Sequence, residues 1–258
     1  METIKYLRFI SKGKERCGIL EGDCVREISG NFFEEFAFTG EKFVLDEVKL
    51  IAPCNPSKVV AVGLNYADHV KEFGSKDTPS NPTLFIKLPH TVIGPGETIL
   101  IPRGATRVDY EAELAAVIGR TCRNADPEEA SSCVFGVTCL NDVTERDMQK
   151  ADGQWTRAKN FETFCPIGPY IVTGINYSAL DIKLFLNGEI RQSSNTRNLI
   201  WGVNELISFI SHIMPLYPGD VVTTGTPSGV GPMKDGDIVE VVIEGIGTLK
   251  NRVSGSAP

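Results

Sequence analysis

Five consecutive apolar residues, Leu114-Ala115-Ala116-Val117-Ile118, stand near the middle of the chain. A run of this length and kind is the pattern of a strand covered on both faces. The fold must therefore keep this segment in its interior. Two carboxylates, Glu111 and Glu113, enter it directly. Strand residues i and i+2 project from the same face with Cβ atoms roughly 7 Å apart. Like charges that close to a core repel and lose hydration. Two readings follow: a solvated strand end with both acids facing water, or a pair neutralised by a counter-charge such as a divalent metal ion. Glu-x-Glu alone does not choose between them.

The 258 residues suffice for one large domain, or a large one with a small appendage. A net charge of −7 argues against a nucleic-acid surface, which needs a basic stripe. No apolar run approaches the ~18–20 residues of a membrane span, and the start METIKYLRFISKGKER lacks a signal-peptide apolar region. The seven cysteines are odd in number and form no C-x-x-C pair, which points to a reduced cytoplasmic protein without a disulfide framework or zinc site. With only His69, His90 and His212 present, a His-rich metal site is disfavoured.

Short strands dominate. Residues 1–52 read as a small N-terminal β domain: IKYLRFI, a hairpin ERCGILEGDCVREI turning at EGD, then VKLIAP. Pro53 and Pro56 mark the boundary with a larger domain, 53–258. There KVVAVGLN, PTLFIKLP, ETILIP, VFGVTCLND, YIVTG, DIKLFLNGEIRQ, DVVTTGTP and DIVEVVIEGIGTLKNRV read as strands, with a hairpin turn at Asn187-Gly188. Helical patterns are fewer. DPEEASS looks like a helix start, TERDMQKA like a short helix capped by Thr144, and Val203, Leu206, Ile207, Ile210 and Ile213 recur at helical spacing as a core-packing stripe. The class is α+β, mostly β.

Several segments carry candidate chemistry. GTPSGVGPM lacks the Lys-Ser/Thr pair of a phosphate loop, and no G-x-G-x-x-G occurs, so nucleotide sites have no support. If NYADHVKEFG is helical, His69 and Glu72 share one face at i and i+3. A carboxylate beside an imidazole raises its basicity, as general-base catalysis needs, although a solvated helix face produces the same spacing. Asp142 stands where an apolar strand stops and a helix begins. It is a helix cap or a third metal ligand; with Glu111 and Glu113 it makes an all-oxygen set suited to Mg²⁺ or Mn²⁺. Lys159, in WTRAKNF, is either a surface lysine or a cation for a substrate carboxylate.

Taken in order, GLNYADHVKE, FIK, DYEAELAAVIG, LNDVTERDMQ, TRAKNF, LNGEIRQSSNT and PGDVVTTGTPSGVG resemble the fumarylacetoacetate hydrolase family, over roughly residues 53 to 253. The similar branch contains acylpyruvate hydrolases, oxaloacetate decarboxylases and 2-hydroxyhepta-2,4-diene-1,7-dioate isomerases. The resemblance implies a β-roll catalytic domain, a homodimer, and Mg²⁺ or Mn²⁺ held by Glu111, Glu113 and Asp142. It implies a mobile lid bearing the catalytic His69 and Glu72. Lys159 is carried over as catalytic, and Gln149, Thr226 and Lys87 as substrate-binding. Several family members carry a basic residue in the G-x-NY stretch where this chain has Leu64, so a contact to a distal substrate carboxylate is missing from the pattern.

The activity so implied is metal-dependent cleavage of a carbon–carbon bond in a small 2-oxo or 2,4-dioxo acid through a stabilised enolate. Oxaloacetate decarboxylation or tautomerisation and dioate isomerisation are its rivals, because all three share that enolate. A catalytically inactive member that binds metal and carboxylate is the non-enzyme alternative. No nucleic-acid or membrane partner is expected.

Overall fold

The computed structural model describes residues 2–67 and 80–255. Strand Ala112–Ile118 lies within a large sheet, and all seven of its residues are buried. It pairs antiparallel with Val134–Asn141 on one side and with Val221–Thr223 on the other. Beyond Val134–Asn141 come Cys165–Thr173, Ile4–Ser11, Lys14–Glu21, Cys24–Ser29 and Ala37–Val44. Beyond Val221–Thr223 come Val59–Gly63 and, at the edge, Thr83–Lys87. The N-terminal meander therefore continues the same hydrogen-bonded sheet, joined where Ile4–Ser11 meets Cys165–Thr173.

The apolar run is explained by two cores. Leu114, Ala116 and Ile118 face a cluster with Ile182, Leu184, Val239, Val241 and Ile243 from a second, five-stranded sheet. Ala115 and Val117 face the opposite cluster, with Tyr6, Ile19, Phe32 and Ile171. Successive side chains of one strand thus feed different cores, so neither set of positions tolerates a polar residue.

The hairpins form where turn chemistry places them. Asn187 and Gly188 adopt φ of +53° and +81° between Asp181–Leu186 and Glu189–Asn195, the left-handed pair a two-residue hairpin requires. Two local expectations are corrected. Helix Arg146–Asp152 is capped by Glu145, whose carboxylate accepts from Met148 N at 2.5 Å; Thr144 sits in a short strand and donates to the Asp142 carbonyl. Helix Val203–Ser211 buries Val203, Leu206, Ile207 and Ile210, but ends before Ile213, which leaves the apolar face and is 56% exposed. Among the described residues, no helix is long and apolar enough to cross a membrane.

Candidate active site

Ala112 pairs with Asn141 in the antiparallel ladder, which sets Glu111 opposite Asp142. The Asp142 N–H donates to the Glu111 carbonyl at 2.8 Å, extending the ladder by one step. Directly opposed residues share a face, so Asp142 joins Glu111 and Glu113 on one side of the sheet. One carboxylate oxygen from each of the three lies within 4.8 Å of the others, and all three residues are buried. The solvated-strand-end reading of the glutamates is thereby excluded.

Cations surround two of the three acids. Lys159 Nζ donates to Glu111 at 2.9 Å and to Asp142, and Lys87 Nζ donates to Asp142 at 2.6 Å. Arg146 contacts Glu111 at 2.5 Å and Asp109 at 2.9 Å. Glu113 differs. Among the described residues no Lys or Arg forms an ion pair with it, and its Oε2 accepts from Gly225 N at 2.8 Å. Burial, then the charges of Asp142 and Glu111, hold its carboxyl well above the usual carboxylate range. Burial alone would lower the Lys159 ammonium, yet Asp142 and Glu111 outweigh it and the net direction is upward. A buried all-oxygen cluster with one acid that no Lys or Arg contacts, among the described residues, fits a hard divalent cation.

Glu111, Glu113, Asp142, Arg146 and Lys159 line a cavity of about 320 Å³, together with Gln149, Lys150, Thr226 and an apolar side formed by Val62, Leu64, Phe85 and Trp155. Phe85 and Trp155 meet edge to face with centroids 5.1 Å apart. Gly63 makes room for the indole: a Cβ there would come within 2.5 Å of it. Leu64, beside it, adopts φ of +57°, a left-handed conformation uncommon for a residue with a Cβ. Asn65 fixes this rim, since its amide donates to the Trp201 and Thr224 carbonyls at 3.0 and 2.8 Å and accepts from Trp201 N at 2.8 Å.

The structure thus gathers Glu111, Glu113, Asp142, Lys159, Gln149 and Thr226 around one cavity. Lys87 does not reach it. Fully buried behind Asp142, it spends its ammonium on that carboxylate and on the Val143 carbonyl at 3.1 Å. His69 and Glu72, with most of the expected lid, lie outside the described residues. Arg146 was missed by sequence reading although it stands three residues before Gln149 on the same helix. Trp155 was equally unforeseen as a cavity wall.

A mostly β chain whose central strand ends deliver three buried carboxylates into one cavity defines a class of acid-lined site. The particular family follows from comparison. The chain belongs to the fumarylacetoacetate hydrolase family: residues 58–254 match the family described as Fumarylacetoacetate (FAA) hydrolase C-terminal, and residues 4–53 match one described as Rv2993c-like, N-terminal. It is 38% identical over 275 residues to the 2,4-didehydro-3-deoxy-L-rhamnonate hydrolase of a Sphingomonas species, covering 97% of this chain and 96% of that one. A crystal structure of 2-hydroxyhepta-2,4-diene-1,7-dioate isomerase from Mycobacterium marinum superposes with a TM-score of 0.92 at 40% identity, covering 99% of this chain and 100% of the other. The maleylpyruvate hydrolase of Sphingobium sp. SYK-6, solved with manganese(II) and pyruvate, superposes at 0.82 with 30% identity, covering 98% and 100%.

Proposed function

We propose that this chain is a divalent-metal-dependent hydrolase that cleaves a carbon–carbon bond in a small acylpyruvate-like 2,4-dioxo acid. The observation that carries the reading is the convergence of Glu111, Glu113 and Asp142, with Glu113 unpaired by any described Lys or Arg. These three residues would hold Mg²⁺ or Mn²⁺. When bound, the ion supplies Lewis-acid polarisation of a substrate carboxylate and its 2-oxo oxygen. The Sphingobium hydrolase, with manganese and pyruvate in its structure, supports this choice of chemistry.

The chain's own residues do the remaining work. Lys159 places a buried positive charge at the same oxygens. Gln149 and Thr226 contribute hydrogen bonds from the cavity wall. Lys87 holds Asp142 in place from behind. Phe85 and Trp155 limit the water that can reach the reacting carbons. Hydrolysis adds the oxygen of water to the distal carbonyl carbon and breaks its bond to the methylene carbon. The electron pair passes to the pyruvate half as an enolate, and one proton returned to carbon gives pyruvate. His69 and Glu72 are proposed as the base that takes the proton from water. The active form is proposed to be a homodimer.

Isomerisation of a hydroxydienedioate is the second reading, favoured by the Mycobacterium marinum isomerase structure at 40% identity. A panel of acylpyruvates, oxaloacetate and hydroxydienedioates, each with Mg²⁺ or Mn²⁺, tests the proposal. Pyruvate release from an acylpyruvate is expected. Turnover of the dioate alone would give preference to isomerisation, and no turnover of any would leave the inactive, ligand-binding alternative.

A further inference from the structure

Gln192 comes from strand Glu189–Asn195 of the second sheet, outside every motif role assigned above, and is 1% exposed. Its amide oxygen accepts from Ala112 N at 2.9 Å, the residue between the two glutamates. Its amide nitrogen donates to the Pro227 carbonyl at 2.7 Å and to Thr226 Oγ1 at 2.8 Å. The orientation of this amide is not free. A backbone N–H can only donate and a carbonyl can only accept, so Ala112 and Pro227 together dictate which end of the amide is which. Nitrogen must therefore face Thr226.

A threonine hydroxyl has one proton to give and lone pairs to receive. With a lone pair committed to Gln192, its proton remains, and among the described residues no acceptor takes it. Thr226 lines the cavity. Gly229 lets the loop that carries it lie close against the strand of Gln192: its φ is +97°, and a Cβ there would fall 2.3 Å from the Arg191 carbonyl oxygen. We infer that Gln192 is a positioning residue: it polarises the Thr226 hydroxyl so that it donates into the cavity, toward a carboxylate or enolate oxygen of the ligand. This rests on the 2-oxo-acid reading above and deepens it, because it selects a ligand that presents an acceptor at Thr226.

The test is oxalate binding by calorimetry to the Mg²⁺-loaded wild type, Thr226→Val, Thr226→Ser, Gln192→Met and the Gln192→Met/Thr226→Val double variant, with Mg²⁺ affinity measured in each. A hydrogen bond to a charged acceptor implies a loss of about tenfold or more for Thr226→Val. Thr226→Ser should bind within a few-fold of wild type. Gln192→Met should lose affinity like Thr226→Val, and the double variant should be no worse than Thr226→Val, with Mg²⁺ affinity unmoved. Losses that add in the double variant would overturn the assignment, since Gln192 would then act independently of Thr226. If Gln192→Met does not fold, Thr226→Val decides alone: wild-type oxalate affinity overturns the assignment, and a tenfold loss rescued by serine supports it. A wild type that binds no oxalate would instead overturn the functional reading itself, and this inference with it.

Discussion

Arg146 Nη1 donates to the Gln149 amide oxygen at 2.6 Å, and that bond decides which end of the amide is left for the cavity. Guanidinium nitrogens are donors only, so the Gln149 N–H groups are the ones available to a ligand. The same guanidinium holds Asp109 and Glu111. One planar fork thus fixes an acid of the carboxylate cluster and a hydrogen-bond donor together.

Arg146→Lys keeps the charge but cannot span three partners. Oxalate affinity of the Mg²⁺-loaded variant should fall by about tenfold, as expected for losing a charge-assisted bond. Calorimetry checks it, with thermal melting to show that the variant is folded. Unchanged affinity would show that the Gln149 orientation does not depend on Arg146.

Asp220 makes a separate prediction, on stability. This buried carboxylate accepts from Ser57 N at 3.1 Å, Ser57 Oγ at 2.6 Å, Lys58 N at 3.3 Å and Tyr217 N at 2.9 Å, and pairs with Lys58 Nζ at 2.5 Å. It ties the start of strand Val59–Gly63 to that of Val221–Thr223, the parallel pair beside the cavity. Asp220→Ala leaves those donors without their acceptor and should cost about 3 kcal/mol. Lys58→Met removes only the partly exposed cation and should cost about 1 kcal/mol. Urea denaturation of both variants gives the ranking, and equal losses would contradict it.

His69 separates the rival reactions. Hydrolysis needs a base for water, whereas decarboxylation leans on enolate stabilisation. His69→Ala should therefore slow acylpyruvate cleavage at least ~100-fold, and oxaloacetate decarboxylation much less. The measurement is kcat/KM for both substrates in wild type and variant. Acylpyruvate cleavage within a few-fold of wild type would remove His69 from the role of base.

The sequence made the acids legible because strand geometry is simple. An apolar run fixes the strand, period two puts Glu111 and Glu113 on one side, and the halt of the next strand marks Asp142. Thr226, Gln149 and Lys159 came from ordered motifs, since spacing says little about which loops meet. The Lys87 ammonium ends on Asp142 and the Val143 carbonyl, which strand periodicity does not reveal: it gives a face, not whether a carboxylate intercepts the side chain before it reaches open space. Arg146 and Gln192 were passed over because their partners, Asp109 and Ala112, are distant in sequence and visible only once three sheets are assembled. Ile213 fits the helical stripe by spacing alone, but helix Val203–Ser211 stops two residues short of it.

Glu111, Glu113 and Asp142 are proposed to hold a divalent ion that the reaction requires. The direct measurement is pyruvate release from an acylpyruvate by chelator-stripped protein as Mg²⁺ or Mn²⁺ is titrated back, for wild type and Glu113→Ala. The wild type should be inactive when stripped and recover fully, with the metal also raising Tm by mass action. Glu113→Ala should need far more metal to reach its own, lower plateau. Full activity of the wild type in excess chelator, or an unchanged metal requirement in Glu113→Ala, would show that these three acids do not hold an ion the reaction needs.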